Sequence, residues 1–181
     1  LTVIEEYIPG QTLEQLLQRQ GCFPRGQAVR IVIALCRILE DFHRCVPPIV
    51  NRDIKPSNII LTPDGTVKLL DVNAAKWATG LGVQDTVLLG TQGYAAPEQY
   101  GFGTSGVQTD VYALGVLLQE LLTGSAGPGI SLPGHLGRIV RRCTQLSPRK
   151  RFRSVAELRR ALELPGVDPA APAGVRDWRR F

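Results

Sequence analysis

Hydrophobic positions along this chain recur mostly with a helical period. Thr12 is a candidate N-cap, Gln15 stands three residues later at capping-box spacing, and Leu13, Leu16 and Leu17 form an inward stripe. That helix is expected over residues 13–20, with Gly21 as its stop. In residues 27–44 the polar positions Arg30, Arg37, Asp41 and Arg44 fall at spacings of seven, four and three, one narrow wet stripe on an otherwise apolar cylinder. Such a helix must be packed on most sides. Residues 110–123 are apolar almost all round, broken by Gln119 and Glu120, and predict the buried central helix of a helical domain, with Asp110 at or near its N-cap and Gly124 closing it. Leu136, Ile139, Val140 and Cys143 mark a further amphipathic helix. Ser154 opens a last one, with Glu157 as capping-box partner and Val155, Leu158 and Leu162 facing inward.

The strand signals are short. Residues 1–4 read as a strand end and Ile49-Val50 as a β-like lead-in. Residues 59–61 and 67–70 are branched and apolar, and Pro63-Asp64-Gly65 between them has turn chemistry, so they predict a tight hairpin. A hairpin sets its open ends side by side, about 4.8 Å apart. Asn58, just before the first strand, and Asp71, just after the second, are therefore expected as neighbours, with Asp53 and Lys55 on the loop that enters the hairpin. Two oxygen ligands, a further carboxylate and an ammonium suit magnesium and a phosphate. Residues 72–93 show no clear periodicity, and a loop of that length inside a compact domain is usually functional.

Composition changes this picture little. The 181 residues are 44% hydrophobic and 20% charged, ordinary for a soluble globular protein with one real core. The formal charge is +5 and the pI about 9.3, with much of the excess between Arg138 and Arg160. That stretch reads as a solvated helical face, or more sharply as a docking surface for acidic partners. No aromatic residues are interleaved with it, so no nucleic-acid partner is expected. Cys22, Cys36, Cys45 and Cys143 form no CxxC pair and read as free thiols in a reducing compartment. The longest apolar run, residues 111–118, is too short to cross a bilayer, and no signal peptide is visible. With no methionine and a strand-like start at Leu1, the chain reads as cut from something longer.

Five motifs then occur in a familiar order. They are Asn51-Arg52-Asp53-Ile54-Lys55-Pro56-Ser57-Asn58, Asp71-Val72-Asn73, residues 90–98 ending in Ala96-Pro97-Glu98, Asp110-Val111-Tyr112-Ala113-Leu114-Gly115, and Lys150-Arg151-Phe152. With these the chain closely resembles the C-terminal lobe of eukaryotic-like protein serine/threonine kinases, particularly bacterial ones. The resemblance implies an α+β, mainly α-helical fold with a small catalytic β-hairpin. The hinge and C-terminal lobe would occupy residues 1–163, and a linker or tail residues 164–181. It implies ATP and magnesium as cofactors and a protein substrate bearing serine or threonine. Asp53 would orient or accept the hydroxyl proton, and Lys55 would steady the γ-phosphate. Asn58 and Asp71 would hold magnesium. Thr91 would bridge Asp53 and Lys55. Backbone groups of Glu6 and Ile8 would meet adenine, with Ile60 packing beneath it. Glu98 would pair with Arg151, and Asp110 would hold the loop backbone. Arg52 beside Asp53 marks kinases tuned by activation-segment phosphorylation, which makes Thr79 and Thr86 candidate phosphosites.

The chain departs from the family pattern at three motif positions. Asn51 stands where histidine is usual, Val72 for phenylalanine and Asn73 for glycine. None of these removes a ligand, though they keep open the alternative of a pseudokinase or scaffold that binds partners through its helices. The glycine-rich loop and strand lysine of the family's N-terminal lobe are not among the 181 residues. The expectation is a cytoplasmic full-length enzyme, with membrane tethering and dimerisation of that full-length protein left open, and a 181-residue piece that is inert alone.

Overall fold

In the computed structural model, residues 7–70, 75–77, 93–101, 103–127 and 132–164 are described. The strand expected at residues 1–4, the whole 72–93 loop apart from residues 75–77 and 93, and the tail after Leu164 lie outside them. Helix α1 (Leu13–Gln20) has its capping box: Thr12 Oγ1 accepts from Gln15 N at 3.2 Å, and Thr12 N donates to Gln15 Oε1 at 3.0 Å. Leu13 and Leu16 are buried and Leu17 partly so.

Helix α2 (Arg25–Arg44) starts two residues before the periodic stretch, because the Pro24 carbonyl already accepts from Gln27 N and Ala28 N. Arg30, Arg37, Asp41 and Arg44 are all exposed, while Val29, Val32, Leu35, Cys36 and Leu39 are buried, so the wet stripe lies where the spacing puts it. Helix α3 (Val107–Thr123) begins three residues earlier than expected. Gly106, not Asp110, is its N-cap, and Asp110 falls at the end of the first turn. The Asp110 carboxylate serves groups outside its own helix, described below.

Helices α4 (Gly134–Cys143) and α5 (Val155–Glu163) close the bundle, α4 against α3 and α5 against α2. Gly115 allows the first contact: a Cβ there would overlap Cys143 Cβ. Ser154 caps α5 by accepting from Glu157 N at 3.2 Å. The Glu157 carboxylate, however, takes the Arg153 amide at 2.7 Å and the Arg142 guanidinium at 2.7 Å rather than the Ser154 amide, so the reciprocal half of the expected capping box is shifted by one residue. The four cysteines are free thiols. Cys36 and Cys143 are buried, and burial pushes both thiols up.

The strands lie at one end of this bundle. β1 (Gln11–Thr12), β3 (Ile59–Leu61) and β4 (Val67–Leu69) form an antiparallel sheet in the order β1-β3-β4, while β2 (Ile49–Val50) pairs with β5 (Lys76–Trp77). The expected hairpin pairs Ile59 with Leu69, Ile60 with Lys68 and Leu61 with Val67. β1 was not legible in the sequence. It pairs Gln11 with Leu61 and Thr12 with Ile60, and Gly10 lets the chain pass over β3, since a Cβ there would stand 2.6 Å from Ile60 Cγ2. At the turn, Asp64 accepts from Thr66 Oγ1 at 2.8 Å and from the Thr62 hydroxyl.

A buried ion pair joins the loops to the helices. Arg151 donates to both carboxylate oxygens of Glu98, at 2.7 and 2.8 Å, and to the carbonyls of Gln145, Gln108 and Leu146. Thr109 Oγ1 adds a bond to Glu98 at 2.9 Å. This is the pair the sequence led us to expect.

Two predictions follow from the packing. Arg151→Met leaves the Glu98 carboxylate buried without its counter-ion and is expected to cost about 3–5 kcal/mol, read as a lowered urea midpoint of the full-length protein; an unchanged midpoint contradicts it. The bonds from Thr62 first and Thr66 second hold the exposed Asp64 carboxyl down from 3.8 to about 2. The stability it lends the turn is thus present above 3.8 and lost as pH falls through about 2. Carboxyl NMR should show a midpoint near 2, and one near 3.8 would exclude the bonded turn.

Candidate active site

The 51–58 loop connects β2 to the hairpin. Its first residues are held from beneath by α3. Asn51 N donates to Asp110 Oδ2 and Arg52 N to Asp110 Oδ1, both at 2.9 Å. His43 Nε2, from the last turn of α2, donates to the same Oδ2 at 2.9 Å, and the Asp110 side chain is fully buried. A carboxylate offers two acceptor oxygens with room for several donors, which suits it to collect adjacent amides in a dry space.

Arg52 has a φ of 72°, the left-handed region that a long side chain rarely adopts. Its backbone is fixed on both sides, by Asp110 at the amide and by Gln99 Nε2 at the carbonyl, 2.9 Å away. Gln99 Oε1 accepts from Ala96 N at 2.9 Å, so its buried amide joins the 95–99 segment to the loop. Asn51 is fully buried and its Oδ1 accepts from Asp53 N at 3.2 Å.

This distortion turns the loop so that Asp53, Lys55 and Asn58 converge. Lys55 Nζ lies 2.8 Å from Asp53 Oδ2. Asn58 Nδ2 donates to the same oxygen at 2.9 Å and to the Asp53 carbonyl at 3.0 Å. A single 3-10 turn, Pro56–Asn58, carries the chain from Lys55 into β3. Leu70 N donates to Asn58 O at 2.7 Å, which closes the mouth of the hairpin. In β3, Ile59 and Leu61 are buried in the core, and Ile60 points to the opposite face, half-buried beside Gly10. Ile8 is half-buried in the segment before Gly10.

Of the residues the sequence singled out, Asp53, Lys55 and Asn58 are thus brought together, and Ile60 and Ile8 lie on the β1–β3 side. Glu6, Asp71 and Thr91 lie outside the described residues, as do Val72, Asn73, Thr79 and Thr86. His43 and Gln99 were missed. Their partners are 67 and 47 positions away, and neither sits at a spacing that local periodicity can read. Among the described residues no helix is long and apolar enough to cross a membrane, and no group of three His, Cys, Asp or Glu side chains gathers as a metal site. Magnesium is commonly held by one or two carboxylates together with substrate phosphates, so the amide of Asn58 beside a carboxylate remains a donor set that fits it.

Comparison with known proteins relates the chain to a family. The sequence profile of the protein kinase domain matches residues 1–128. Serine/threonine-protein kinase PknL of Mycobacterium tuberculosis is 38% identical over 123 residues, which is 67% of this chain and 30% of that protein. Serine/threonine-protein kinase PknB of Mycobacterium leprae is 36% identical over 124 residues, 67% of this chain and 20% of that protein. A probable serine/threonine-protein kinase of Clostridium perfringens is 34% identical over 123 residues, 67% of this chain and 18% of its own length. The chain therefore spans less than a third of each of these relatives. With the profile covering more than half of its residues and the kinase-like helical lobe in place around the hairpin, this chain belongs to the protein kinase domain family.

Proposed function

We propose that the full-length protein transfers the γ-phosphoryl group of ATP to serine or threonine hydroxyls of protein substrates. The observation that carries this is the convergence of Lys55 Nζ and Asn58 Nδ2 on one oxygen of Asp53. In this reading Asp53, oriented from two sides, accepts the hydrogen bond of the substrate hydroxyl and directs its lone pair toward the phosphorus. The Lys55 ammonium, 2.8 Å from Asp53 Oδ2, would stabilise the γ-phosphoryl oxygens as charge builds on them. The Asn58 amide, its nitrogen committed to Asp53, would turn its oxygen to magnesium together with Asp71. The metal, when bound, would neutralise phosphate charge. Thr91 would bridge Asp53 and Lys55. Adenine would rest on Ile60 and meet the backbone of Glu6 and Ile8. The parts given to Glu6, Asp71 and Thr91 rest on the motifs alone.

Catalysis of this kind depends on positioning and electrostatic stabilisation, and the floor of a cleft supplies only part of either. The 181-residue chain alone is therefore inert in this proposal. In this reading residues 1–163 form one domain, which is supported by the core that α4 and α5 share with α2 and α3. The hydrogen bond that Asn51 accepts from Asp53 N supports the enzyme over the scaffold reading, since asparagine keeps a loop-supporting contact at the unusual motif position.

Transfer of labelled phosphate from ATP in the presence of magnesium is expected for the full-length protein and not for residues 1–181 alone; robust transfer by the short chain would refute its dependence on further sequence. In the full-length protein, Asp53→Ala should lower turnover at least ~100-fold, and a loss below about tenfold would remove Asp53 from the role of base.

A further inference from the structure

Residues 124–154 hold seven of the 21 arginines and lysines and no aspartate or glutamate. Outside that stretch 14 basic side chains face 16 acidic ones, so the positive charge of the protein is made in this one place. Two of the seven are answered inside the fold. Arg151 is buried on Glu98, and Arg142 pairs with Glu157 at 2.7 Å and lies over the Phe152 ring, 4.0 Å from its centre. Arg141, Arg149 and Lys150 are exposed and have no acidic partner among the described residues. We propose that these three form a docking surface for an acidic segment of a protein partner, seated on the corner that joins α4 to α5. The proposal goes beyond phosphotransfer and does not depend on it. Residues 141–150 also lie past residue 128, where the match to the kinase-domain profile ends, so that match gives them no role.

Basic side chains elsewhere on the helices are answered by their neighbours. Arg37 lies 3.6 Å from Glu163, Arg44 reaches Asp41 at 3.0 Å and Glu40 at 3.4 Å, and Arg159 reaches Glu40 at 2.6 Å and Glu163 at 3.1 Å. At the corner that complement is left to come from outside. The backbone there is held before any partner arrives. Gln145 Nε2 donates to Arg141 O at 2.9 Å, and Arg151 donates to the carbonyls of Gln145 at 2.8 Å and Leu146 at 3.1 Å. Lys150 N donates to Ser147 O at 3.0 Å within the single 3-10 turn Pro148–Lys150. A backbone already ordered lowers the cost of association. Leu146 is 78% exposed. A lone exposed leucine is ordinary, but this one falls between the cations in the chain and offers one apolar contact to a segment laid across them.

Charge complementarity favours carboxylates spread along a chain, because the cations are themselves spread from Arg141 to Lys150. An anionic membrane is the poorer partner. A helix that lies on a bilayer presents an apolar face to it, and α4 turns Leu136, Ile139 and Val140 into the core instead. Single-stranded nucleic acid is poorer too, since it calls for exposed aromatic rings, and Phe152, the aromatic residue nearest in the chain, is buried.

The test uses the full-length protein and a fluorescent peptide of glutamates around one leucine, beside its counterpart with glutamine in place of every glutamate. Anisotropy at low salt should show the glutamate peptide bound roughly tenfold or more tighter, with the difference shrinking as salt is added. Arg141→Gln/Arg149→Gln/Lys150→Gln should remove that preference, and Leu146→Ser should weaken binding by about threefold. A control with the same change of charge on α2 and α5, Arg37→Gln/Arg44→Gln/Arg160→Gln, should keep it. Equal binding of the two peptides, or an equal loss in the corner variant and the control, overturns the proposal. So does binding of phosphatidylserine vesicles or of single-stranded DNA through Arg141, Arg149 and Lys150 when the glutamate peptide does not bind there.

Discussion

The carboxylate of Asp110 accepts two successive amides of the 51–58 loop and the ring nitrogen of His43 in a space closed to water. The loop could not otherwise hold its shape. Arg52 in a left-handed backbone costs of order 1–3 kcal/mol. Hydrogen bonds to a charged acceptor contribute about 1.5–3 kcal/mol each, so the two amide bonds together outweigh the strain. The Gln99 bond to the Arg52 carbonyl then fixes the other side of the same residue. Only with that turn made do Lys55 and Asn58 both reach Asp53.

The first turn of α3 is the origin of more than this contact. Thr109 donates to Glu98, the carbonyl of Gln108 accepts from Arg151, and Asp110 holds the loop. Three consecutive residues thereby tie the loop, the 95–99 segment and the chain before α5 to one helix. That helix is apolar almost all round, with Leu114, Leu117, Leu118 and Leu121 buried in the core. Its position is set by packing, so the polar groups at its N-terminal end inherit the precision of the core. Within that network the Arg151 guanidinium makes five hydrogen bonds, as many as it has N–H donors.

The sequence was informative wherever local periodicity or local side-chain chemistry decides the structure. The stripe of Arg30, Arg37, Asp41 and Arg44, the Thr12–Gln15 box and the hairpin turn at Asp64 all depend on neighbours within a few residues. The motif order added the long-range pairs of Glu98 with Arg151 and of Asp110 with the loop. What stayed hidden was long-range and motif-free. Neither His43 nor Gln99 carries a local signal, because each bonds a partner dozens of positions away. The pairing of Gln11 and Thr12 with β3 was masked by the stronger helix-start signal on the same residues. The beginning of α3 was misplaced for a related reason: Asp110 has the chemistry of an N-cap, but a buried loop with two amides to satisfy competes for it and wins. The mouth of the hairpin closes between Asn58 and Leu70; Asp71 lies outside the described residues.

Thr12 belongs to two elements at once, as the last residue of β1 and as the cap of α1. β3 is only three residues long, roughly 10 Å, and Asn58 stands at its far end. Thr12 thus fixes at one joint the strand that leads away from Asn58 and the helix packed against the Pro56–Asn58 turn.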